Sequence, residues 1–139
     1  MKHVFIINPK SNSEAFTEKF RHKIEELCVN RGLEFEIKST AKNLDAENFA
    51  RQAAEKGDAV RVYACGGDGT VNEVVNGIFG FKNAELAVIP IGTGNDFIRT
   101  FGDIKKFFDI ETVIDSEARP IDAIKINDRI CINIANIGF

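Results

Sequence analysis

Residues 60–70 read Val60-Arg61-Val62-Tyr63-Ala64-Cys65-Gly66-Gly67-Asp68-Gly69-Thr70. The apolar, β-branched run predicts a strand over 60–65. Gly66, Gly67 and Gly69 permit positive φ and let the backbone approach a ligand with no β-carbon in the way. A helix is predicted from about Thr70 to Gly77 or Gly80.

The same alternation extends in both directions. Upstream, His3 and the run to Ile7, stopped by Asn8-Pro9, suit a strand buried on both faces over 3–7. Phe16, Phe20, Ile24 and Leu27 then recur at intervals of four and three, predicting the apolar stripe of a helix over 13–30 that stops at Gly32. A second strand is expected over 34–39. A second helix follows, with Asp45 as its N-cap and Ala46, Phe49, Ala50 and Ala53 inward, ending at Gly57. Downstream, 86–91 predicts a fourth strand despite Pro90, and a helix starts near Asn95. Strand and helix alternating in this way form right-handed βαβ crossovers, hence an α/β fold: three layers, α/β/α, around a mainly parallel sheet. Beyond Phe107 the pattern changes, and 121–126 and 129–135, separated by Asn127-Asp128, predict an antiparallel tail.

At 139 residues the chain has room for one domain. With 44% hydrophobic and 28% charged residues it can bury an ordinary core. The 18 Lys and Arg against 21 Asp and Glu, net −3, give no attraction for a nucleic-acid backbone. Cys28, Cys65 and Cys131 form no CxxC pair and read as buried thiols in a reducing compartment. No run is long enough for a signal peptide or a membrane span, so the expected location is cytoplasmic. The strand-like segment 130–134 close to Phe139 leads us to expect a fragment of a parent protein, with an unusually short natural protein as the alternative.

Loops that leave the carboxyl ends of parallel strands share one edge, where such sheets bind ligands. Here those loops are Asn8-Pro9-Lys10-Ser11-Asn12, Thr40, Gly66-Gly67-Asp68-Gly69-Thr70 and Gly92-Thr93-Gly94-Asn95-Asp96. Ser11 with Glu14, Thr70 with Glu73, and Thr93 with Asp96 are candidate capping boxes. Several helix ends aimed at one crevice also make an anion site. No Gly-Lys-Ser/Thr follows either glycine loop, which excludes a Walker A loop, and Asn72 occupies the third glycine place of a dinucleotide fingerprint. Asp68 has two readings. Among phosphate-binding amides a carboxylate needs a cation or a ligand hydroxyl between it and the phosphate, or else it braces the turn. His3 and His22 read as structural or exposed, the pair Phe107-Phe108 as packing, and Lys10 as a solvated lysine within reach of a phosphate.

The segment from Gly66 to Gly77, Gly66-Gly67-Asp68-Gly69-Thr70-Val71-Asn72-Glu73-Val74-Val75-Asn76-Gly77, followed by Pro90-Ile91-Gly92-Thr93-Gly94-Asn95-Asp96-Phe97, resembles the catalytic domain of diacylglycerol kinases, a family that includes bacterial lipid kinases and sphingosine and ceramide kinases. The resemblance runs from Asn8-Pro9 to Asn136-Ile137-Gly138-Phe139; NAD kinases, more distant, share the GGDGT element. It implies ATP and Mg2+ as cofactors, diacylglycerol or another lipid hydroxyl as acceptor, and transient contact with a membrane surface. The implied nucleotide contacts are Asn8, Pro9, Lys10, Ser11, Asn12, Thr40, Gly66, Gly67, Asp68, Gly69, Thr70, Val71, Asn72, Thr93 and Asn95, with Asp68 also catalytic. A β-rich second domain, carrying the general base and the magnesium ligands, would follow Phe139. One departure stands out: Asn12 occupies a place that is usually glycine in the family, and asparagine tolerates the left-handed region better than most residues. Two other expectations compete with diacylglycerol phosphorylation: a nucleotide-binding or regulatory module without catalysis, and an NAD kinase-like or sphingosine kinase-like transferase. The oligomeric state is not readable from these residues.

Overall fold

A computed structural model of the chain describes residues 1–91, 109–118, 120–121, 123–126 and 128–131. The expected helix near Asn95, the Gly92 to Asp96 loop, Phe107-Phe108, Asn127 and everything after Cys131 lie outside the described residues.

Strands β1 (Lys2–Ile7), β2 (Phe35–Ser39), β3 (Val60–Gly66) and β4 (Ala84–Pro90) form one parallel sheet in the order β2-β1-β3-β4. Pro90 ends the last of them, where its missing N–H costs least. Helices α1 (Glu14–Arg31), α2 (Asp45–Glu55), α3 (Asp68–Ile78) and α4 (Ile110–Asp115) cover the faces. Alternate side chains of β1 and β3 feed two cores. Val4, Ile6, Val62 and Ala64 meet α2 and α3, whereas Phe5, Ile7, Tyr63 and Cys65 meet α1 and α4. The three expected layers are therefore present.

Several local expectations are corrected. On α1 the buried positions are Thr17, Phe20, Ile24 and Cys28, and Phe16 is 39% exposed. The stripe sits one residue further round at both ends, Thr17 and Cys28 taking the places expected of Phe16 and Leu27. Ser13, not Ser11, caps α1, its Oγ accepting from Phe16 N at 3.1 Å, while Ser11 belongs to a 3-10 turn, Pro9–Ser11. Asp45 does not cap α2. The N-cap is Leu44, at φ 70, and the Asp45 carboxylate turns back to accept from Ala41 N (2.7 Å) and Lys42 N (3.0 Å); those two amides hold it well below the usual carboxylate range. Helix α3 starts at Asp68, so Thr70 is its third residue and forms no capping box with Glu73.

Helix α4 was not anticipated, because six residues are too few to show a periodic stripe. Tertiary contacts hold it. Buried Arg61 donates to the carbonyls of Val113 (3.2 Å) and Ile114 (2.9 Å) and pairs with Glu85 at 2.8 Å, and Arg31 grips Asp115 with two bonds, 2.6 and 3.1 Å. The tail is an antiparallel hairpin, β5 (Ile124–Ile126) against β6 (Arg129–Cys131), its first strand starting later than expected and positions 132–135 of the second lying outside the described residues.

Candidate nucleotide-binding cleft

From β1 the chain crosses one way, through α1 to β2, and from β3 it passes the other way, through α3 to β4. The crevice at the carboxyl ends of β1 and β3 is thus the switch point where ligands of such sheets bind. Three backbone bonds bring the loop stems together there: Thr40 N to Ile7 O (2.9 Å), Asn8 N to Cys65 O (3.0 Å) and Ile91 N to Gly66 O (3.3 Å). Ile91, the stem of the second glycine loop, therefore lies beside the first.

Each loop is fixed locally. Asn8 Oδ1 accepts from Lys10 N at 3.1 Å and opens the 3-10 turn. Asn12 donates from Nδ2 to Ile91 O (2.9 Å) and accepts at Oδ1 from Ser13 N (2.7 Å). Its backbone is extended, φ −153, so the left-handed turn imagined for this position does not form; the side chain instead bridges two loops. At β3, a β-carbon on Gly66 would overlap the Thr70 hydroxyl and lie 3.3 Å from Ser11 Oγ. Gly67 is the N-cap of α3, and among the described residues no side-chain cap bond closes that end. Around Gly69 there is open space where a β-carbon would project. The first-turn amides of an uncapped helix, with its macrodipole, favour an anion.

These features border a cleft of about 310 Å³ lined by Asn8, Lys10, Thr40, Ala41, Lys42, Asn43, Ala46, Thr70 and Glu73. Of the expected contacts, Asn8, Lys10, Thr40 and Thr70 come together on its wall. Pro9, Ser11, Asn12, Gly66, Gly67, Asp68 and Gly69 belong to the adjoining turns. Val71 is in the core, with its N–H bonded to Gly67 O. Asn72 lies one turn further along α3, its Oδ1 buried without a hydrogen-bond partner among the described residues. Thr93 and Asn95 fall outside them. Lys42 and Asn43 were missed, although the rule that selected Thr40 applies equally to the residues just after it. Glu73 had been considered only as a capping partner. His3 is structural, as expected, within hydrogen-bond reach of the Tyr63 hydroxyl at 2.7 Å. Among the described residues no three His, Cys, Asp or Glu side chains gather to hold a metal, and no helix is long and apolar enough to cross a membrane.

Comparison with known proteins decides the family. The model of the diacylglycerol kinase catalytic domain matches residues 2–126. The chain belongs to this family. As a diacylglycerol kinase-type domain it is 41% identical over 138 residues to a diacylglycerol kinase of Bacillus subtilis, covering 96% of this chain and 44% of that protein. It is 33% identical over 112 residues to a protein of Alcanivorax borkumensis named "Probable lipid kinase YegS-like", covering 79% and 37%. The crystal structure of a diacylglycerol kinase from Bacillus anthracis superposes with a TM-score of 0.70 at 30% identity, over 93% of this chain and 48% of that one. The chain thus spans less than half the length of these relatives.

Proposed function

We propose that this domain binds ATP at the switch-point cleft and that the whole protein transfers the γ-phosphoryl group to a lipid hydroxyl, diacylglycerol being the expected acceptor. The observation that carries this reading is the uncapped start of α3, with open space at Gly69, beside a cleft bearing Lys10 and Lys42. Amides of that turn and the two ammonium groups would hold the polyphosphate; Asn8, Thr40 and Thr70 would orient it. In the transfer a bond forms from the lipid oxygen to the γ-phosphorus, the bond to the bridging oxygen breaks, and the hydroxyl proton passes to a base. Positioning and charge neutralisation supply most of the rate.

Magnesium is the cation such chemistry uses. The described residues do not by themselves make a site for it, and Asp68 is at most one of its ligands. Further ligands and the general base belong, on this reading, to a β-rich domain following this one. A domain that binds nucleotide without catalysing transfer is the second reading, favoured for these residues alone because they span less than half the length of the relatives. Phosphate transfer from labelled ATP to diacylglycerol vesicles by the full-length protein tests the first: Asp68→Asn should fold normally and lose most turnover. Full turnover would remove Asp68 from the chemistry, and binding of Mg-ATP without transfer to any lipid would favour the second.

A further inference from the structure

Asp68, Asn72 and Asn76 recur every four residues on α3 and form one stripe of polar side chains leading away from the glycine turn. At its far end the Asn76 carboxamide makes three bonds. Nδ2 donates to Asn72 O (2.7 Å) and Ile130 O (2.8 Å), and Oδ1 accepts from Ile130 N (2.8 Å). Toward Ile130 it therefore takes the place of a neighbouring strand on the edge of β6 turned away from β5. The Ile130 side chain is buried in the core shared by α2 and α3, and next to it Arg129 reaches Glu47 of α2 at 2.6 Å. A two-stranded hairpin is marginally stable at best on its own. Its position is set by these anchors, two of which are specific polar clamps.

We infer that Asn76 is a positioning residue that couples the nucleotide-facing end of α3 to the hairpin at 124–131, so that ligand held at the glycine turn also holds the hairpin and whatever the chain carries beyond it. This rests on the proposed nucleotide site. The physical content is that the carboxamide holding Ile130 is itself held against the Asn72 carbonyl of α3, so a ligand that steadies α3 also steadies the clamp on the hairpin. A ligand that binds only the closed form slows every opening to which it is coupled.

Hydrogen exchange on the full-length protein, with and without saturating Mg-ATP, tests this. In the wild type, Mg-ATP should slow exchange at 68–78 and also slow the Ile130 amide at least about fivefold, well within the hundredfold available at 100 times Kd. In Asn76→Ala the ligand should still protect 68–78, while Ile130 exchanges at least about tenfold faster and no longer responds to ATP. Arg129→Met, which removes the outer clamp only, should raise Ile130 exchange less and keep the response to ATP. With diacylglycerol as acceptor, Asn76→Ala should lower kcat by about tenfold or more with KM for ATP within about twofold, as expected of misplacement rather than lost binding. Protection at 68–78 with no effect at Ile130 in the wild type overturns the inference alone. Absence of protection at 68–78 overturns the nucleotide site as well. Ile130 still responding to ATP in Asn76→Ala assigns the coupling elsewhere.

Discussion

The Thr70 side chain closes over Gly66: a β-carbon there would overlap the hydroxyl and stand 2.9 Å from Thr70 Cβ. Rotating the hydroxyl away does not relieve the second contact, because Cβ is fixed to the helix backbone. Gly66→Ala must therefore push the first turn of α3 off the end of β3. We expect nucleotide affinity to fall by more than about tenfold, with a stability loss of about 1–3 kcal/mol, measured by calorimetry and urea unfolding on the same preparation.

Gly69 offers the opposite test. It lies in the first turn of a helix with empty space around the β-carbon position. Gly69→Ala should be neutral or stabilising by up to about 1 kcal/mol, since alanine is the better helix former. If a phosphate seats against that backbone, the same change weakens ATP binding by about tenfold. Greater stability with unchanged affinity would move the phosphate elsewhere.

Gly77 is needed for packing. A β-carbon there would overlap the Glu47 carbonyl and lie 2.7 Å from Ala50 Cβ, so α2 and α3 touch backbone to backbone. The gain in helix propensity, about 1 kcal/mol, is outweighed by the overlap, and Gly77→Ala should lose about 1–3 kcal/mol net. A lower urea midpoint with an unchanged slope is the expected result.

The Arg61 guanidinium satisfies the Glu85 carboxylate and two carbonyls of α4 at once. Arg61→Met keeps the volume and leaves these acceptors unpaired. Because Glu85 keeps some water contact, with a side chain 26% exposed, the expected cost is about 2–3 kcal/mol, below the 3–5 of a fully buried pair. Loss of exchange protection at 110–115 ahead of the sheet would identify α4 as the element released.

Burial, reinforced by the neighbouring Arg61, holds the His3 imidazole below its ordinary 6.5. The unfolded chain therefore takes up the proton first. The stability contributed by the neutral ring is complete above pH 6.5 and is lost as the pH falls from there through the lower folded value. His3→Gln should flatten stability against pH below 6.5 and leave the slope above pH 7 unchanged, as read by thermal unfolding across that range.

Much of this molecule was legible as a string of residues, because the signals are local. Chain-neighbour sterics and the period of apolar residues mark strands 3–7 and 60–65, the glycine turn and the stop of α1 at Gly32, whose φ is 66. One topological rule, that loops at the carboxyl ends of parallel strands share an edge, brought Asn8, Lys10, Thr40 and Thr70 to one place before any coordinates. The errors cluster where a residue had two local uses. Asp45 looks like an N-cap and instead ties the preceding turn, and Thr70 looks like a cap and instead lies over Gly66.

What the amino-acid order determined by itself was the alternation of elements, the family and the edge on which the cleft forms, since each depends on short-range pattern. Only the tertiary structure decided which neighbours those elements acquire. The Arg61 bonds to α4, the Asn12 bridge to Ile91 and the grip of Asn76 on Ile130 join residues 52 to 79 positions apart. Long polar side chains satisfy whichever backbone groups packing brings within 3 Å or so, and no periodicity in the chain encodes that partner.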